Sequence, residues 1–415
     1  MDWLTDPLVL ARFVHIAACV MAAGTATFAV LAAGPAAATG DLRRRWRLVV
    51  AACAAIAALS GLGWLAITAA NILGTSFADV CLHGGLWSVA ADTQFGRLAV
   101  MRVAIALLLI LPGWNDRLRA ALALVLIVLI APAGHAGAQA GAWGWLHLAA
   151  DAVHLVAAAC WLGGLPALAM LLAASYRDPA GLVASAVRAT ARFSWLGIAC
   201  VAALIATGAI NSWFLLSGPG DLMTTVYGRV LALKLGLFAA MLAIAAVNRF
   251  HLTPRLADVE ALRALLRNSL CELALGAGVL FLVAILGMLE PGGHHHASSA
   301  IPEDAAFVHI HTNLAMADVT VAPGRPGPVD VRIHLSNEDS TDYDARAVHV
   351  ELRPPEADAS IVAFDAKPAS DAVWEARGIA LRRPGIWTLL LTITPRNGAI
   401  VVLDGPIVIQ SREQE

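Results

Sequence analysis

Long apolar segments fill the first 290 residues of this chain, and they restrict its fold more than any other feature. Hydrophobic residues make up 59% of the sequence, charged residues 14%, and the mean hydropathy is +0.72, which is far from a water-soluble domain. The segments are long enough to cross a bilayer as helices. They predict about eight transmembrane spans, near 8–33, 47–70, 97–113, 117–133, 147–174, 190–215, 228–249 and 269–289.

The arginines between these segments predict the orientation of the spans. The connections after spans one, three, five and seven are basic, whereas the alternate connections are almost free of Lys and Arg, and 134–146 has neither. By the positive-inside rule, the N-terminus and residues 290–415 lie outside the cytoplasm. Because the chain starts Met1-Asp2-Trp3 with no basic segment, we expect the first span to be retained rather than cleaved as a signal peptide.

Several landmarks occur twice in the membrane part. Thr93-Gln94-Phe95-Gly96-Arg97, followed by Arg102, returns as Thr225-Val226-Tyr227-Gly228-Arg229, followed by Lys234. His15 and His154 each open a similar run, and Ser60-Gly61 is matched by Thr207-Gly208 in the following span. These pairs predict two parallel four-helix repeats related by an axis along the membrane normal, with the working site at their interface.

The composition changes after Leu289. A Gly- and His-rich stretch at 291–303 reads as a linker between a transmembrane domain at 1–290 and a further domain at 304–415. Short alternating runs separated by Pro, Gly and Asn-Gly turns then predict an extracytoplasmic all-β sandwich. Six strands are predicted, near 307–312, 329–335, 347–352, 361–364, 386–394 and 399–409.

The histidines of the membrane part are the strongest candidates for a functional site. His15 and His154 lie about two turns inside spans one and five, His147 and Asp151 precede His154 on one side of the same helix, and His135 lies just before that span. An ionisable side chain inside a span normally faces the bundle interior or a wet cavity. We predict a metal site formed by His15, His135, His147 and His154, with Asp151 orienting an imidazole. A purely structural role for each histidine is the alternative.

The chemistry of this ligand set favours copper. Imidazole combined with thiol or thioether suits Cu(I) or Cu(II), whereas harder ions prefer carboxylates alone. Cys19 and Met21, close to His15, are candidate auxiliary ligands. Further auxiliary candidates lie in the linker and the first strand of the outer domain: His294, His295, His296, His309 and His311.

At this point the residues resemble a known family. Gly134-His135-Ala136, the run from Leu146 to His154, and Trp161-Leu162-Gly163-Gly164 look like the copper-resistance D (CopD) family of bacterial inner-membrane proteins, and Asn248-Arg249 matches its second half. The resemblance implies copper transport, generally uptake, and copper homeostasis at the cytoplasmic membrane, generally beside a periplasmic copper chaperone. The outer domain, with Pro384-Gly385-Ile386-Trp387, resembles YtkA-like extracytoplasmic sandwiches.

Two other classes of function fit the same pattern. Paired histidines on facing helices also ligate haem in transmembrane b-type cytochromes, and a non-transporting membrane anchor or assembly factor would use the sandwich for docking. We expect copper ions and lipid as partners and no nucleic acid. We also expect no enzymatic activity and no tightly bound organic cofactor, haem being the alternative.

Overall fold

The computed structural model describes most of the chain: residues 5–34, 40–73, 75–82, 85–134, 141–216, 218–256, 258–289, 302, 304–311, 315–337, 341–354, 360–398 and 400–410. These residues form two compact units, one helical and one of β-strands.

The helical unit contains long apolar helices with short helices between them. In chain order its helices are α1 (Pro7–Phe28), α2 (Gly40–Leu73), α3 (Phe77–Leu82), α4 (Gly85–Asp92), α5 (Gln94–Ile110), α6 (Asp116–Val128), α7 (Gly141–Leu162), α8 (Leu165–Arg177), α9 (Pro179–Leu215), α10 (Asp221–Thr224), α11 (Val226–Val247) and α12 (Val259–Leu286). A π-helical turn follows α1 at Ala29–Ala33, and another follows α11 at Asn248–Leu252.

Among the described residues, the helices that can cross a membrane are slightly fewer than the eight or so predicted, in agreement with a multi-span bundle. Within the described ranges six helical segments are long and apolar enough to cross a membrane, or seven if α4 and α5, which are bent by 94° at their junction, form one span. The predicted third and fourth spans correspond to α5 and α6, which have only 17 and 13 residues. At 1.5 Å per residue, α6 covers about 20 Å, which is short of a 30 Å hydrocarbon core.

The doubled Thr-x-x-Gly pattern has a structural explanation. Thr93 is the N-cap of α5 and accepts a hydrogen bond from the Gly96 amide at 2.9 Å, and Thr225 caps α11 through the Gly228 amide at 2.9 Å. A side chain at Gly96 or Gly228 would collide with the backbone of the short helix before it. Both copies therefore start a long helix and pack a short helix closely against it.

Helices α1 and α7 pack against each other through two glycines. A Cβ at Gly24 would collide with the backbone of Gly163 and Ala159, and one at Gly163 would collide with the Val20 carbonyl. Gly24 lies nine residues after His15, and Gly163 lies nine residues after His154. The contact is thus reciprocal, because each glycine lies against the backbone of the opposite segment.

The second unit is an antiparallel sheet of eight strands that curls so that its first and last strands pack together. Its strands are β1 (Ala306–His311), β2 (Met316–Ala322), β3 (Gly327–Ser336), β4 (Ala345–Arg353), β5 (Val362–Ser370), β6 (Val373–Leu381), β7 (Gly385–Pro395) and β8 (Val401–Ile409), in the order β1-β2-β3-β6-β5-β4-β7-β8. The predicted all-β class is confirmed. Alternate residues fill one core that includes Val331, Ile333 and Leu391.

The sequence analysis missed β2 and β6. In β2 the inward positions Ala317, Val319 and Val321 alternate with polar residues, but alanine carries little hydrophobic signal. In β6 the pattern is interrupted at Gly378, which has a φ of 72°. This is the left-handed region that favours glycine.

Candidate functional site

His15 lies on α1 and is almost completely buried, with 1% of its surface exposed. Its Nδ1 is 2.9 Å from the Ala57 carbonyl oxygen of α2 and 3.4 Å from the Ser60 hydroxyl. Because a carbonyl oxygen only accepts hydrogen bonds, we assign the ring proton to Nδ1. The lone pair is then on Nε2, which is 3.7 Å from the Cys19 thiol.

His154 lies on α7 in an equivalent environment. Its Nδ1 is 2.9 Å from the Thr207 hydroxyl of α9, and that hydroxyl donates its own hydrogen to the Ala203 carbonyl at 2.6 Å. Thr207 therefore accepts from Nδ1, and Nε2 of His154 again carries the lone pair. A glycine follows the hydroxyl residue in both halves, and each glycine, Gly61 and Gly208, lies against the imidazole ring that its helix faces.

Each histidine also has a cation from a third helix nearby. Arg102 of α5 is 1% exposed and lies 4.8 Å above the Trp64 ring, and it acts electrostatically on His15 and Cys19. Lys234 of α11 acts electrostatically on His154.

The two clusters differ in charge at matching positions. Arg12, three residues before His15, stacks at 5.0 Å on the same Trp64 ring as Arg102. Asp151 has the corresponding place before His154, where it accepts a 3.3 Å hydrogen bond from Asn211 and lies within electrostatic range of Lys234. The first cluster thus combines two arginines, and the second combines a lysine with a carboxylate.

The remaining candidate residues are placed as follows. His147 is buried and stacks on Phe214, with ring centroids 4.7 Å apart. Met21 packs against the helical core. His309 and His311 are two positions apart on β1, whereas His135, His294, His295 and His296 lie outside the described residues. Among the residues that the structure describes, no three His, Cys, Asp or Glu side chains form a group that could hold a metal ion. The shared four-histidine site stays a prediction.

Sequence reasoning missed a buried polar network at the other end of the bundle. Glu272 of α12, 2% exposed, accepts a 2.9 Å hydrogen bond from the Asn248 amide, and Asn268 donates to the Asn248 oxygen at 2.8 Å. Asn248 opens the π-helical turn after α11, and such turns are frequent at functional sites. The signal was available, because an acid inside an apolar span is itself unusual.

Comparison with known proteins agrees with this architecture. Residues 187–286 match the family model for copper resistance protein D, and residues 1–145 match the model for the copper resistance protein D-like N-terminal domain. Over 290 residues the chain is 30% identical to inner membrane protein YebZ of Escherichia coli, which covers 68% of this chain and 97% of that protein. The chain belongs to the copper resistance protein D family. The resemblance noted in the sequence is confirmed.

Two further relatives of this copper resistance D chain carry copper in their names. Copper resistance protein D of Pseudomonas syringae pv. tomato is 27% identical over 307 residues, which is 69% of this chain and 98% of that protein. Copper transport protein CutJ of Bacillus subtilis is 29% identical over 178 residues, 43% of this chain and 30% of that protein. No solved structure matches the chain. Both family models fall within the helical unit, and the YtkA-like resemblance of the β domain stays a prediction.

Proposed function

We propose that this protein transports copper into the cell across the cytoplasmic membrane, using His15 and His154 as ligands inside the helical unit. Membership of the copper resistance D family and the names of its relatives support a role with copper. The observation that carries the proposal is the similar placement of two imidazoles, His15 buried and His154 half-buried, each with its Nδ1 2.9 Å from an oxygen atom of a neighbouring helix. In each imidazole, Nδ1 is held by a group of a neighbouring helix, so that Nε2 carries the lone pair that a metal ion needs.

The first cluster offers two soft ligands for Cu(I). Nε2 of His15 and the thiol of Cys19 are 3.7 Å apart, and imidazole with thiolate suits Cu(I). Binding replaces the thiol proton with copper, so the bound unit gains no net charge. The positive charge of Arg102 disfavours any added positive charge beside His15.

The second cluster is better suited to an incoming free cation. Lys234 by itself would repel copper from His154, but the Asp151 carboxylate lies within its range and offsets that charge. Asp151 is therefore proposed to lower the electrostatic cost of placing a cation beside His154, in addition to any role in orienting an imidazole.

The remaining features of the transport proposal are taken from the sequence-based predictions. We propose that the N-terminus and the β domain face outward, so that both histidines lie near the outer face and copper moves inward. The linker histidines 294–296, together with His309 and His311, would collect copper there, with a periplasmic chaperone as the donor. His135 and His147 would pass it towards His154.

The test is copper uptake by vesicles that contain the purified protein. His15→Ala and His154→Ala should each reduce the initial uptake rate by more than tenfold at equal protein content. His251→Ala is the matched control, because His251 is exposed on the π-helical turn and should leave uptake unchanged. Uptake at the parent rate in both variants would show that these histidines are structural and would refute the proposal.

A further inference from the structure

A small cavity opens at the end of the helical unit where α1 ends and where α2 and α6 begin. It has a volume of about 10 Å³, which is room for about one water molecule or one oxygen atom of a ligand. Its lining includes Arg43, Trp46 and Arg47 of α2 and Asp116 and Arg119 of α6. The arginine pattern of the sequence predicts that this end of the bundle faces the cytoplasm.

Two of these arginines bind the same carboxylate. Nη1 of Arg43 is 2.7 Å from Oδ2 of Asp116, and Nε of Arg47 is 2.9 Å from Oδ1. Arg43 also donates a hydrogen bond to the Gly34 carbonyl oxygen. Each carboxylate oxygen is therefore engaged by one guanidinium, and both arginine side chains are held at the wall of the cavity.

Arg119 adds a third cation to the same lining. It is 6% exposed, and it donates to the carbonyl oxygens of Leu109 and Trp114 at 3.2 and 3.5 Å. Three guanidinium groups thus share the carboxylate of Asp116, which leaves the lining with an excess of positive charge. Such an excess in a concave site with low-dielectric walls attracts a ligand of negative charge.

Two buried donors of this lining also lack an acceptor. Nε of Arg119 and Nε1 of Trp46 make no hydrogen bond within the described part of the chain. Trp46 is 1% exposed, and its ring packs edge-on against Phe28 at 5.6 Å, which fixes the indole. Both atoms can only donate, and a buried donor without a partner is costly. Their partner must therefore be an acceptor that this part of the chain does not supply.

We propose that this cavity binds a phosphate group, which places one oxygen between Trp46 and Arg119 and a second oxygen at Arg47. Arg47 is half exposed, so the cavity reaches the protein surface beside it. A phosphate group supplies both acceptor oxygens and negative charge, and guanidinium groups match its geometry. A water molecule would supply an acceptor but would leave the excess charge.

The phosphate group has two possible sources. An anionic lipid of the cytoplasmic leaflet and free inorganic phosphate present the same oxygens, and basic pockets between helices on that side of a membrane bind lipid headgroups. The site takes no part in the proposed copper transport, so failure of either proposal leaves the other standing.

The experiment is thermal unfolding of the purified full-length protein in an uncharged detergent. A ligand that binds only the folded state raises the unfolding temperature as its concentration increases. The probes are dioctanoyl phosphatidylglycerol, inorganic phosphate, and dioctanoylglycerol, which has the same acyl chains without the phosphate. We expect a phosphate probe to stabilise the protein and dioctanoylglycerol to have no effect. Stabilisation by phosphatidylglycerol alone identifies a lipid as the source, whereas stabilisation by inorganic phosphate identifies the free ion.

Two variants locate the binding in this cavity. Trp46→Phe removes the indole N–H but keeps a ring, and it should weaken the apparent affinity for the phosphate probe by about tenfold, since it deletes one hydrogen bond to a charged group. Trp213→Phe, at a position that is 82% exposed, is the matched control and should bind like the parent. Arg47→Gln should weaken binding likewise, and Arg45→Gln is its control, because Arg45 is exposed on the same helix and its loss changes the net charge equally.

Three results would overturn the proposal. The first is that neither phosphate probe raises the unfolding temperature, and the second is that dioctanoylglycerol raises it as much as phosphatidylglycerol does. The third is that Trp46→Phe and Arg47→Gln respond to the probes as their controls do. If Trp46→Phe does not fold, the comparison of Arg47→Gln with Arg45→Gln decides, because Arg47 is half exposed and its replacement leaves the core intact.

Discussion

The contacts at Nδ1 predict that two hydroxyl residues in matching positions differ in importance. Thr207 is the partner of His154 at 2.9 Å, so Thr207→Val removes that hydrogen bond with little change in shape. Ser60 is 3.4 Å from His15, whose Nδ1 is already held by the Ala57 carbonyl at 2.9 Å. Ser60→Ala should therefore leave His15 oriented.

The magnitude follows from the value of one hydrogen bond. A partly buried N–H that loses its acceptor costs about 1 to 1.4 kcal/mol, which corresponds to roughly a five- to tenfold change in an equilibrium constant. The bond holds Nε2 free for the metal, so Thr207→Val should raise the copper concentration for half-maximal uptake by that factor. Ser60→Ala should change it by less than about twofold.

The assay is uptake into vesicles as a function of copper concentration, with each hydroxyl variant measured at equal protein content. Thr207→Ser retains the hydroxyl and should restore the parent value, which separates the hydrogen bond from the loss of a methyl group. If Ser60→Ala is as damaging as Thr207→Val, or if Thr207→Val is silent, the assigned tautomers do not control copper binding and the reasoning is wrong.

Three further predictions follow from the same contacts. Gly24→Leu should destabilise the protein by about 1–3 kcal/mol, because its side chain would collide with the Gly163 backbone, whereas Gly63→Leu, with open space around it, should be tolerated. Thermal unfolding in detergent checks both variants, and equal losses of stability would contradict the close packing of α1 at Gly24. Asp151→Asn should slow copper uptake several-fold because it leaves Lys234 uncompensated, and an unchanged rate would remove the carboxylate from the mechanism. Reporter fusions should place residue 44 in the cytoplasm and the β domain outside, and a cytoplasmic β domain would reverse the proposed direction.

Much of the fold follows from local patterns in the sequence. Apolar runs predicted the long helices because a bilayer requires continuous hydrophobic segments, and alternation predicted six of the strands. The failures have local causes too. The apolar sequence around α6 is long enough to resemble a span, but the helix itself ends after 13 residues. Strand β2 places an alanine in the core, where a larger apolar residue would have given a clearer strand pattern.

The candidate site was only partly predictable for a different reason. The sequence identifies His15 and His154 as ionisable groups within spans, but it does not reveal which atoms of α2 and α9 meet them. The Ala57 carbonyl is a backbone group with no signature of its own. The hydrogen bond between Asp151 and Asn211 joins residues 60 positions apart and depends on how α7 and α9 pack. Such pairings require tertiary structure.

The charge difference between the two clusters has a mechanistic consequence. Trp64 and Asn211 are each four residues after the hydroxyl of their half, and each contacts the residue three positions before the histidine. Trp64 presents an aromatic face to Arg12, whereas Asn211 donates a hydrogen bond to Asp151, so each partner suits its charge. The cluster at His15 therefore has an excess of positive charge, whereas the cluster at His154 has a balanced pair. A free cation is favoured at His154, whereas at His15 copper is favoured only when the Cys19 thiol gives up its proton. The two halves are therefore expected to take up copper with different dependence on pH, the first half more weakly as the pH falls.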